Sequence, residues 1–127
     1  MVSKHDPAET RRAVEAVKDW ILAPENTERP ARGLLANAVR RTVRAVEAEL
    51  PGHTVELRVP PFVAIQCVEG PRHTRGTPPN VVEMDPQTWL RVATGQVSFE
   101  DALHAGKIDA SGSRAAEITQ ALPVISF

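Results

Sequence analysis

Pro51-Gly52 divides this chain into two stretches that obey different periodicities. Before it, apolar residues recur every three or four positions. Val14, Val17 and Ile21 do so with Trp20 beside them, and Leu35, Val39, Thr42 or Val43, Val46 and Leu50 repeat the pattern. That is the spacing of helices with one buried face. After it, Val55, Leu57 and Val59 alternate with Glu56 and Arg58, the period of a half-buried strand. A chain that passes once from helical to strand period, and later returns to helices, is bound to an α+β architecture.

Local signals sharpen the elements. Asp6-Pro7-Ala8-Glu9 places an Asp cap, a proline at the first helical position and a Glu three residues after the cap. It predicts one amphipathic helix from about Pro7 to Ala23, broken by Pro24-Glu25-Asn26-Thr27. A second helix runs from near Pro30 to Pro51-Gly52. Pro60-Pro61 cannot donate to a ladder and marks a turn or kink at a sheet edge. Phe62 to Val68, apolar apart from Gln66, reads as a second strand covered on both faces. Gly70 to Pro79 is a loop, and Asn80 to Met84 a third strand.

Asp85-Pro86 opens a helix bearing Trp89, Leu90 and Val92, stopped by Gly95. Ser98 caps a short helix with Phe99, Ala102 and Leu103 that ends at Gly106. Lys107 to Ala110 is a fourth strand. Ser111 or Ser113 caps a closing helix with Ala115, Ile118 and Leu122, ended by Pro123. The expected fold is therefore a two-layer α+β domain, with a mainly antiparallel or mixed sheet of about four to five strands covered by helices. Residues 1–29 form an N-terminal helical extension and residues 30–127 the α/β domain.

Composition narrows the function. The single cysteine, Cys67, excludes an internal disulfide and a multi-cysteine zinc site. No apolar run approaches membrane-span length, and the first residues lack the apolar stretch of a secretory signal. Ile125-Ser126-Phe127 is not a peroxisomal signal, so a cytoplasmic location is expected. Net charge is −1, and the five aromatics include no tyrosine. Nucleic-acid binding by basic patches interleaved with stacking residues fits poorly. Five arginines without an acid between Arg29 and Val46 predict either a solvated helix face or a surface for an anion or protein partner.

The C-terminal third carries a resemblance. Met84-Asp85-Pro86, Trp89-Leu90, Ala93-Thr94-Gly95, Asp101-Ala102 and the segment from Ala105 to Ala116, with its Gly106-Lys107-Ile108 and Ser111-Gly112-Ser113, resemble the sterol carrier protein 2 family. The loop from Gly70 to Asn80 is similar to that of its bacterial, mainly actinobacterial, branch. The resemblance covers roughly Pro30 to Leu122, and the first helix looks like an extension of that branch. It implies helices and a sheet around an apolar tunnel for sterols, fatty acids or acyl-CoA thioesters, held without chemical change and without a cofactor. The alternative it leaves open is a domain that keeps the fold with little ligand capacity and meets a protein partner or a second copy.

An apolar ligand needs a concave wall of aliphatic and aromatic groups. The candidates are Val63 and Ile65 on the second strand, Val82 and Met84 on the third, Trp89 and Leu90 on the helix that follows, Phe99 and Leu103 on the short one, and Ile118 and Leu122 on the last. A domain of this size needs many of these for its own core, so each is a core or a cavity residue. For an anionic head group the candidates are Arg72, His73 and Arg75 in the loop, with Ser111, Ser113 and Arg114 at the start of the closing helix. Ordinary capping explains the serines equally. Cys67 beside a cation would be a reactive thiol, but it lies in an apolar strand. Glu83 and Asp85 share a strand face as a conceivable acid/base pair, although an Asp cap accounts for the second. The four histidines lack metal-ligand spacing, so no metal and no catalytic residue is expected.

Overall fold

The computed structural model describes residues 5–70 and 79–127. The elements run α1 (Pro7–Glu15), α2 (Lys18–Leu22), α3 (Arg32–Glu49), β1 (Val55–Val59), β2 (Val63–Cys67), β3 (Asn80–Met84), α4 (Pro86–Ala93), α5 (Phe99–His104), β4 (Ile108–Ser111) and η1, a 3₁₀ helix over Ala115–Ala121. The four strands form one mixed sheet in the order β2-β1-β3-β4. β1 is antiparallel to β2 and parallel to β3, and β3 is antiparallel to β4. The two-layer α+β domain expected from the periodicities is the one observed.

The sheet has two unlike faces. Val55, Leu57 and Val59 of β1, Ile65 and Cys67 of β2, and Val82 and Met84 of β3 are buried on one side. α3 packs against β2, η1 against β3 and β4, and α4 against α3. The other face carries Glu56 and Arg58 beside Glu83. The Arg58 guanidinium lies 2.6 Å from Glu56 and 3.7 Å from Glu83. His53 adds a ring-nitrogen hydrogen bond to Gln66 Oε1 at 2.7 Å. A face this polar needs no second layer of helices.

Two expectations are corrected here. The predicted helix from Pro7 to Ala23 is two helices. Val17 leaves helical geometry at φ −119° and ψ 15°, with neither glycine nor proline nearby. The break lets α1 lie on α3 while α2 turns onto α4. Val14 and Ile21 are fully buried and Val17 and Trp20 nearly so, all within the same core as the sheet. Tertiary packing has overridden a continuous helical pattern. The second correction concerns β2, predicted to be covered on both faces. It is an edge strand with Ala64 exposed and Val63 and Gln66 half-buried. Its apolar character serves one face and its flank, where Phe62 lies under the guanidinium groups of Arg32 and Arg40 at 5.3 and 5.9 Å.

The caps explain the helix limits. Asp6 Oδ1 accepts from the amides of Ala8 and Glu9, Asp85 Oδ1 from that of Thr88 and Ser98 Oγ from that of Asp101. α4 ends in a Schellman motif: Gly95, at φ 77°, donates to the Val92 carbonyl and Gln96 to that of Arg91. The tail then returns, with the amides of Val124 and Ile125 both donating to the Ala93 carbonyl. Arg11 donates to the Ser126 carbonyl at 3.4 Å, and the Lys18 ammonium sits 4.9 Å from the Phe127 ring centroid.

Candidate functional site

α5 is short, but its position follows from its sequence. The Ser98 cap fixes its start, and spacing of four puts Phe99 and Leu103 in one row and Glu100 and His104 in the next. Both rows line an open groove of about 670 Å³, closed on its far side by Ala116, Thr119, Leu122 and Pro123 and at its base by Val92 and Val97. Such a volume lies within the roughly 300–1,000 Å³ of small-molecule sites. Leu103 and Leu122 remain half-buried where the neighbouring core is sealed. The groove wall is apolar and its rim polar.

The expected wall residues separate into two groups. Phe99, Leu103 and Leu122 line this groove. Val82, Trp89, Leu90 and Ile118 are fully buried, Met84 and Ile65 nearly so, and Val63 packs at the edge of the same core. Trp89 is among the largest fully buried side chains of that core. Its indole N–H donates to Thr42 Oγ1 at 2.7 Å, and the Thr42 hydroxyl donates on to the Ala38 carbonyl at 2.7 Å. Among the described residues no buried side-chain nitrogen or oxygen lacks a partner.

The head-group candidates are not assembled in the described structure. Arg72, His73 and Arg75 lie outside the described residues. The predicted serine-capped α-helix is corrected: Ser111 is the last residue of β4, Ser113 is exposed, and η1 starts after Arg114 with no side-chain cap. Asn80 instead ties the turn before η1 to the start of β1. Its side-chain amide donates to the Thr54 carbonyl at 2.9 Å, and its Oδ1 accepts from the Arg114 amide at 2.9 Å. Arg114 itself is bound to Glu117 at 2.6 and 2.9 Å and to the Glu69 carbonyl at 2.8 Å. That contact raises the Arg114 pKa and holds the Glu117 carboxyl below the usual carboxylate range. A guanidinium so engaged is not an open anion receptor.

The remaining candidates resolve similarly. Cys67 is buried, and burial together with the nearby Glu47 charge pushes its thiol up to about 11. At neutral pH it is a thiol and not a nucleophilic thiolate. Glu83 faces Arg58 while Asp85 caps α4, so they do not act as a pair. No three potential metal ligands gather among the described residues. No helix among them is long and apolar enough to cross a membrane.

The arginine-rich stretch is used internally. Arg29 lies over the Trp20 ring at 5.6 Å, Arg32 and Arg40 over Phe62, and Arg40 Nε also donates to the Phe62 carbonyl at 3.1 Å. Arg41 reaches Glu9 of α1 at 2.9 Å, and Arg44 pairs with Glu47 at 3.0 Å. Sequence reasoning missed Val92, Val97, Glu100 and His104 as groove residues. The signal was present in α5, where a polar row repeats the spacing of the apolar one.

No curated protein matches the chain at a significant level. A family model, described as bacterial SCP ortholog, matches residues 31–124, which is most of the chain and includes α3, the whole sheet, the groove and Asn80. The mixed sheet with its helical layer fits the fold that the resemblance to sterol carrier proteins implied. The chain therefore belongs to the bacterial sterol carrier protein orthologue family.

Proposed function

We propose that the protein holds an apolar small molecule, lipid-like or sterol-like, inside the bacterial cell and releases it chemically unchanged. The observation that carries this reading is the groove between α5 and η1, about 670 Å³ in volume, with Phe99, Leu103 and Leu122 on its wall. Small domains bury such side chains when they can, since each contributes roughly 1.5–3 kcal/mol when fully covered. Here Leu103 and Leu122 stay half-buried beside a sealed core, and a ligand would complete their burial. The arginines of α3 give little support to the alternative, a partner-binding domain without ligand, because each is already held within the chain.

Native mass spectrometry of the protein purified without detergent, followed by lipid extraction, tests this directly. A co-purifying apolar compound that a Leu103→Trp variant no longer retains is the expected result. Protein free of ligand, and unable to take up any uncharged or charged amphiphile after delipidation, would exclude the proposal.

A further inference from the structure

The rim of the same groove is polar on its α5 side. Four polar side chains line it: Ser98, Glu100, His104 and Thr119. Ser98 Oγ accepts from the Asp101 amide and the Thr119 hydroxyl donates to the Ala116 carbonyl at 2.8 Å, so both are engaged by the backbone. Glu100 and His104 are exposed and make no side-chain hydrogen bond or ion pair among the described residues. They stand one helical turn apart on α5, immediately outside the Phe99–Leu103 row. No lysine or arginine is among the described residues lining this groove.

We infer that the groove takes an apolar molecule whose head group is a non-anionic hydrogen-bond donor, a hydroxyl or an ammonium, set against Glu100, and that it discriminates against carboxylates. This rests on the groove being the ligand site. The physical basis is short. With its tail along Phe99 and Leu103, an amphiphile brings its polar end to the outer row of α5. A hydroxyl there donates to the carboxylate and accepts from the imidazole N–H. An ammonium donates to the same carboxylate with charge complementarity. A fatty-acid carboxylate meets like charge with no lysine or arginine among the described residues of the groove lining to offset it.

The test uses the full delipidated chain and three ligands with one ten-carbon tail, decanol, decylamine and undecanoate, each below its solubility or micelle limit. Isothermal titration is run at neutral pH and low salt. Undecanoate should bind about two- to fivefold more weakly than decanol, the size expected of a solvent-exposed charge contact, and decylamine as tightly as decanol or more so. Glu100→Lys, a substitution on an exposed helix position, should move undecanoate ahead of decylamine. Undecanoate binding as tightly as decanol, or an order unchanged in Glu100→Lys, would overturn the charge assignment while leaving the groove as the ligand site. Binding that survives Leu103→Trp, or no binding of any of the three, would remove the groove reading and the assignment together.

Discussion

α4 and α5 read alike along the chain, each a capped helix with aromatic and aliphatic residues on one side, yet the fold treats their faces oppositely. Trp89 and Leu90 of α4 are fully enclosed, with the indole N–H satisfied by Thr42 of α3. Phe99 of α5 is buried in the same core and Leu103 only half-buried against it, and both line a groove. The difference comes from what each helix packs against. α4 has α3 on one side and α2 on another, whereas α5 touches β4 and α4 and leaves its outer side to η1 across an opening. Apolar periodicity therefore marks a face that wants cover, and only the topology decides whether protein supplies it.

The largest expected effect lies on the sealed side. Trp89→Ala should lower unfolding free energy by about 3–5 kcal/mol, measured by urea denaturation, through loss of buried surface and a cavity in the core. Ile21→Ala should cost about 2–5 kcal/mol by the same measurement, because α2 shares that core although it precedes the family-matched region. A cost near zero would show that the first two helices are an appendage. Thr42→Val, which keeps the shape but orphans the indole N–H, should cost about 1–3 kcal/mol.

Cys67 offers a pH test of the same side. Its thiol is raised to about 11 in the folded state by burial. The folded chain thus holds its proton more tightly than the unfolded one. Stability is fully present below the unfolded thiol value, near 8.5, and falls as pH rises through the folded value. The loss should reach about 3 kcal/mol across that window and be absent in Cys67→Ala. On the groove side effects should be small for stability and large for binding. Leu103→Ala should cost less than about 1.5 kcal/mol, given its half-buried side chain, while weakening uptake of an uncharged amphiphile severalfold. Equal destabilisation by Leu103→Ala and Ile21→Ala would erase the distinction between the two faces.

Much of this fold was legible in local signals. Asp6, Asp85 and Ser98 cap the helices they were expected to cap, and Pro51-Gly52 follows α3 directly. Val55, Leu57 and Val59 face inward as their alternation demands. What escaped are features set by distant partners. The break at Val17 serves two docking sites, α3 and α4, that no local residue announces. The parallel pairing of β1 with β3 is invisible to period, since alternation says which side faces in and not which neighbour lies alongside. Asn80 looks like a strand residue, and only its contacts with Thr54 and Arg114 reveal a clamp on the turn after β4. Gly112 belongs to that clamp. A Cβ there, at φ 95°, would come within 2.1 Å of Asn80 Oδ1. For the site, α5 announced its apolar row, but the missing cover over it had no sequence signature.

The ties between α1 and the tail have a consequence for the order of assembly. Arg11 reaches the Ser126 carbonyl, 115 residues further along, and Lys18 covers Phe127. Val14, Val17, Trp20 and Ile21 are translated before α3 and α4, the helices that enclose them. Helices as short as α1 and α2 do not persist alone in water. On a growing chain these residues are made before the helices that enclose them, their apolar side chains bare until α3 and α4 have emerged.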